Sequence, residues 1–138
     1  MDQIMILAFE DSKHRSDVVQ LCIKVFGYET AHNEPNLVID NKVDVDDGLF
    51  FIALIDEHVI GTVMAGYDRH RGWIYSLAVD PELRKSGYGS ALLREAESQL
   101  SARGCLKVNL QIMEGNDTVQ GFYLANDYTV ENRVTCPR

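Results

Sequence analysis

A chain of 138 residues can enclose one hydrophobic core but not two comfortable ones, so a single domain over residues 1–138 is expected. The formal net charge of −8 and a pI near 4.8 argue against a nucleic-acid or anionic-membrane surface, which would draw on clustered Lys and Arg, and favour cationic partners. Cys22, Cys105 and Cys136 form neither a CxxC pair nor a zinc spacing, no apolar run approaches the roughly 18 residues that span a bilayer, and Met1-Asp2-Gln3 lacks a basic segment; a reduced, cytoplasmic protein without a targeting segment or metal is the expectation.

The apolar run at residues 4–9 reads as a first, mostly buried strand, being too short to prefer as a helix. From Ser16-Asp17 onward, Val18, Leu21, Cys22, Val25 and Phe26 recur at helical spacing, with Gly27 as the stop. Cys22 lies on the apolar face, as a packing thiol does. The polar residues 28–32 suit a flap over a cleft, where His32 either meets substrate or is simply solvated. Glu34-Pro35-Asn36 then opens a short second helix through Leu37 and Val38 toward Val43 and Val45.

Residues 49–55 and 59–67, joined by Asp56-Glu57-His58, read as a β-hairpin. Asp68-Arg69-His70-Arg71-Gly72 turns the chain again into a strand over residues 73–79, completing an antiparallel meander. A long helix over about residues 87–103 carries Tyr88, Leu92, Ala96 and Leu100 at steps of four and closes at Arg103-Gly104. Over residues 107–112, Val108, Leu110 and Ile112 alternate with Asn109 and Gln111, as in a strand. Asn116-Asp117 supplies an N-cap for a last helix through Val119, Phe122, Tyr123 and Leu124, and residues 128–134 read as a final strand.

Between the third strand of the meander and the long helix lies Arg84-Lys85-Ser86-Gly87-Tyr88-Gly89. Two glycines let backbone N–H groups turn inward, the helix start adds unpaired N–H groups and a positive dipole end, and Arg84 and Lys85 add full charges. The guest this suits is a phosphate or pyrophosphate. A Walker loop would need Lys-Ser/Thr after its last glycine, where Ser90-Ala91 stands; a dinucleotide fingerprint would need glycine where Leu92 stands. A plain glycine-rich turn is the competing reading.

Arg-x-x-Gly-x-Gly behind a strand ending Leu77-Ala78-Val79-Asp80-Pro81 resembles the acetyl-coenzyme A loop of the GNAT family of N-acetyltransferases. Asn116 followed by Phe122-Tyr123 is similar to that family's second signature, and the order of elements matches over nearly the whole chain. Residues 61–72 further resemble the bacterial YpeA-type members. The resemblance implies an α+β, three-layer fold: a mixed, mostly antiparallel sheet with helices on both faces and strands splayed at the cofactor site.

It also implies acetyl-coenzyme A as cosubstrate, with pantetheine along Leu77 and Val79, pyrophosphate on Arg84, Lys85, Ser86, Gly87, Tyr88 and Gly89, and Asn116 either contacting the cofactor or only capping its helix. The Leu77 N–H would face the thioester oxygen, and Tyr123 would act as general acid toward the leaving sulfur while also contacting the cofactor, unless it merely packs. A base must accept the proton of the amine acceptor. Where one branch of the family places glutamate this chain has Gln111, leaving Glu114, Asp68 and, less directly, His70. Asn126-Asp127-Tyr128 stands where the family often has Leu-Gly-Phe, and the short segment after Tyr128 makes a second subunit a candidate for the missing wall of the acceptor site. The rival readings are a non-catalytic acyl-coenzyme A sensor of the same fold and an interaction domain whose glycine loop is only a turn.

Overall fold

The computed structural model describes residues 4–26, 34–83, 86–111 and 117–130. Strands Met5–Ala8 (β1), Phe50–Ile55 (β2), His58–Tyr67 (β3), Gly72–Val79 (β4) and Val108–Asn109 (β5) form one sheet in the order β1-β2-β3-β4-β5. All neighbours are antiparallel except β4 and β5, which run parallel. The expected hairpin closes through Asp56 and Glu57, both at positive φ (50° and 68°), a pair that matches the twist of the flanking strands.

Helices Asp11–Phe26 (α1), Pro35–Val45 (α2), Tyr88–Ala102 (α3) and Asp117–Ala125 (α4) complete the α+β fold. The two faces of the sheet are buried separately, which is why β2 is apolar without alternation. On one face Phe50, Ile52 and Met64 pack with Val18 and Val19 of α1 and Ile39 of α2. On the other, Phe51, Ala53, Val63, Ala65 and Ile74 pack with Leu92, Leu93, Ala96 and Leu100 of α3, and Tyr123 of α4 joins this cluster. The step-of-four pattern read for the long helix is therefore its buried stripe.

α1 begins five residues earlier than its apolar period indicates. Its first turn is held by polar groups that such a period does not register: Lys13 and His14 donate to the Glu10 carbonyl, and Arg15 pairs with Asp11 one turn back. α2 forms as expected, its first N–H groups capped by the Glu34 carboxylate, which accepts from Asn36 and Leu37 at 3.0 Å each. β1 is a strand but not a mostly buried one. It lies at the sheet edge, and Met5 and Leu7 are exposed. Among the described residues β5 pairs at Val108–Asn109 alone, where a strand over residues 107–112 is expected, and residues 128–130 are not a strand, because the Tyr128 N–H turns back to end α4. The expected flap with His32 and residues 131–134 lie outside the described residues, as does Ile112.

Candidate active site

The register of β3 against β4 slips by one residue along their length. Gly61 and Thr62 oppose Val79 and Ala78, whereas Met64 to Tyr67 oppose Tyr75 to Gly72, so that Ser76 and Leu77 together face Val63. Ser76 takes up the extra residue with φ 53°, a conformation a side-chain-bearing residue adopts only when its surroundings enforce it. This β-bulge takes the main chain at Leu77 out of the regular ladder. On its other side β4 pairs with β5 only at Gly72 and Trp73, so among the described residues no strand accompanies residues 74–79. An edge of this kind offers backbone donors and acceptors to an extended amide chain.

β4 ends at Asp80, whose carboxylate accepts the Glu82 N–H at 3.0 Å, caps the 3-10 turn Pro81–Leu83 and pairs with Lys24 of α1 at 3.0 Å. The pairing raises the Lys24 pKa through its hydrogen bond to Asp80. Arg84 and Lys85 lie outside the described residues. Ser86 and Gly87 are exposed, and Gly87, at φ 83°, is the N-cap of α3 without any side-chain cap. The first intrahelical bond runs from Ala91 N–H to the Gly87 carbonyl at 3.0 Å. The N–H groups of Tyr88, Gly89 and Ser90 precede it, so the helix dipole and these donors are presented at the loop. A Cβ on Gly89 would lie 3.3 Å from Cζ of Phe122 and 3.6 Å from Cγ2 of Val79. The end of β4, the start of α3 and α4 thus meet at one point.

α4 places Tyr123 beside that junction. Tyr123 is 8% exposed, and its ring is edge-on to Phe122 at 5.0 Å and to Tyr128 at 5.5 Å. Burial pushes its pKa up to about 12, so the phenol stays protonated across the neutral range. Among the described residues nothing hydrogen-bonds its hydroxyl. The helix ends in a paired motif: Tyr128 N–H returns to the Tyr123 carbonyl at 3.0 Å and Asp127 N–H to that of Leu124 at 3.2 Å, with Asp127 at φ 73°. The Asn126-Asp127-Tyr128 sequence therefore keeps the left-handed turn that glycine usually supplies.

Asp68 lies elsewhere. Its carboxylate accepts the N–H groups of His70 at 2.8 Å and Arg71 at 2.6 Å, and these bonds, led by Arg71, hold its pKa below the ordinary carboxylate value. It closes the β3–β4 turn beside Gly72, five residues along β4 from Leu77, roughly 16 Å at strand rise. Glu114 and Asn116 lie outside the described residues, and Gln111 is exposed. Two features had no sequence signal: the Ser76 bulge, and the cluster joining Arg94 and Glu97 of α3 to Asn126 and Tyr128, whose members are 32 and 31 residues apart. Among the described residues no three His, Cys, Asp or Glu side chains converge as a metal site, and no helix is long and apolar enough to cross a membrane.

The sequence model of the acetyltransferase (GNAT) family matches residues 16–128. An acetyltransferase of Yersinia enterocolitica is 40% identical over 102 residues, covering 74% of this chain and 72% of its own. Among solved structures, the PaiA N-acetyltransferase of Thermoplasma acidophilum in complex with coenzyme A superposes with a TM-score of 0.83 at 19% identity, covering 96% of this chain and 93% of its own. The aminoglycoside N-acetyltransferase AAC(6')-Iy in complex with coenzyme A gives a TM-score of 0.83 at 18% identity, covering 100% and 95%. At these identities the two structures speak for the fold.

Proposed function

The chain belongs to the GNAT family of acetyltransferases, and from that premise we propose that it moves an acetyl group from acetyl-coenzyme A to a primary amine by direct attack of the neutral amine on the thioester. The observation that carries this reading is the meeting of three features: the bulged, partly unaccompanied end of β4, the uncapped glycine-bearing start of α3, and α4, whose Phe122 packs on Gly89 and whose next residue is the largely buried Tyr123.

In the proposed complex, the main chain of Leu77 and Val79 hydrogen-bonds the pantetheine amides, and the N–H groups from Ser86 to Gly89 take the pyrophosphate with Arg84 and Lys85 beside them. As the amine nitrogen bonds to the carbonyl carbon, negative charge grows on the thioester oxygen, and the Leu77 N–H stabilises it. The C–S bond then breaks. The coenzyme A thiol has a pKa near 8.5, below that of the phenol, so Tyr123 acts chiefly by donating a hydrogen bond to the departing thiolate sulfur and by relaying to it a proton drawn from solvent water. The nitrogen's proton passes to a carboxylate through water. We assign that role to Glu114, since the Asp68 carboxylate is engaged in its turn.

The test is free-thiol release from acetyl-coenzyme A with a panel of small amines, polyamines and peptides, alongside a thermal-shift titration with coenzyme A. Amine-dependent release supports the transferase. A thermal shift without release from any amine favours the acyl-coenzyme A sensor, and neither shift nor release removes the assignment of the α3 N-terminus.

A further inference from the structure

We propose that Tyr128 and Glu97 are positioning residues for the Tyr123 hydroxyl, tying its place to the helix that begins at the cofactor loop. This rests on the reading of Tyr123 as general acid. The Tyr128 N–H holds the Tyr123 carbonyl at 3.0 Å, and its ring backs the Tyr123 ring edge-on, 5.5 Å between centroids and 73° between planes. The far end of Tyr128 is tethered: its hydroxyl donates to Oε2 of Glu97 on α3 at 2.7 Å. Glu97 is steadied in turn by Arg94 through Oε1. Arg94 also donates to the backbone and side-chain oxygens of Asn126 at 3.1 Å each, and Asn126 Nδ2 returns to the Phe122 carbonyl at 2.8 Å.

α4 is thus referenced to α3 at two levels. Near the N-terminus of α3, Gly89 admits Phe122; further along the same helix, Arg94 and Glu97 grip the turn that ends α4. From Tyr88 to Glu97 is nine residues, about 13 Å of helix. The helix that would hold pyrophosphate at one end therefore also determines where the phenol stands. Phenylalanine at position 128 would fill the same space, so packing does not require the hydroxyl. Its bond to Glu97 stops the edge-on pair from sliding, and transfer to sulfur is sensitive to displacements near 1 Å.

The experiment compares the full chain with Tyr128→Phe, Tyr123→Phe and the double variant, measuring kcat and KM by thiol release, with Glu97→Gln and Glu97→Ala as a second pair. Tyr128→Phe is expected to lower kcat about tenfold at nearly unchanged KM for acetyl-coenzyme A, and to cost nothing more in the Tyr123→Phe background. Glu97→Gln, which keeps an accepting oxygen, should retain most of the rate that Glu97→Ala loses. A readout that needs no acceptor is the Tyr123 ring-flip rate, from aromatic NMR of tyrosine-labelled protein with the signal assigned by Tyr123→Phe; it should rise in Tyr128→Phe. An unchanged kcat or flip rate in Tyr128→Phe, or an undiminished loss in the Tyr123→Phe background, overturns the proposal alone. Full activity of Tyr123→Phe overturns the general-acid reading and the proposal with it.

Discussion

Cζ of Phe122 lies 3.3 Å from the point where a side chain on Gly89 would begin. Even alanine there would make the Phe122 ring yield by a few tenths of an ångström, and a larger side chain would press the first turn of α3 against the middle of α4, the helix that carries Tyr123. Gly89→Val should push α4 outward, lowering stability by about 1–3 kcal/mol through overpacking and weakening coenzyme A binding at least tenfold. Urea unfolding and a coenzyme A thermal-shift titration measure the two effects. Unaltered binding in the folded variant would show that this contact does not shape the cofactor site.

Tyr123→Phe removes one oxygen and leaves the ring packing in place. Turnover should fall on the order of 10²-fold, the lower range for a general acid, while coenzyme A affinity stays within about twofold. Steady-state kinetics and a binding titration separate the two quantities.

The alkaline limb of the rate follows from the burial of Tyr123, which holds its pKa at about 12. A raised value keeps the phenol protonated as pH climbs past 10, so loss of its proton should not lower kcat/KM until the folded value is approached. The rate should rise while the acceptor amine loses its proton and then level off. A fall centred near pH 10, absent from Tyr123→Phe, would mean that the phenol is more solvated than its burial indicates.

Glu34 caps α2 with its carboxylate, and the N–H of Asn36, followed by that of Leu37, lowers its pKa below 4.5. A lowered folded value places the stabilisation above the unfolded pKa of 4.5 and removes it as pH falls through the folded one. The melting-temperature difference between the native chain and Glu34→Gln should therefore be present at pH 7 and shrink below pH 4. Thermal unfolding across that range tests it.

Lys42 is a cation almost wholly inside the protein, 6% exposed, bonded to Asp47 at 2.9 Å and to the Ala65 carbonyl, with the Tyr75 ring 5.3 Å away. Lys42→Met keeps an unbranched side chain one atom shorter and takes the Lys42 donor away from that carbonyl and from Oδ2 of Asp47. Because Asp47 remains partly exposed, the expected loss is about 1–3 kcal/mol by urea unfolding, less than for a fully enclosed pair.

Local chemistry made much of this protein legible without coordinates. The apolar stripe of α3, the Asp56-Glu57 hairpin, the Glu34-Pro35 helix start and the glycine loop are signals carried by neighbouring residues, because caps, turns and burial stripes repeat over a few positions. The family resemblance rested on two such local motifs. Tertiary structure alone decided what depends on distant partners: that β1 is an exposed edge, that β5 meets β4 at Gly72 and Trp73, and that Ser76 adopts a positive φ to bulge β4 before Leu77. It also set Asp68 at the far end of β4 and joined Arg94 and Glu97 to a turn about thirty residues later. Register slips and long-range hydrogen bonds are settled by which surfaces meet, and spacing along the chain does not encode that meeting.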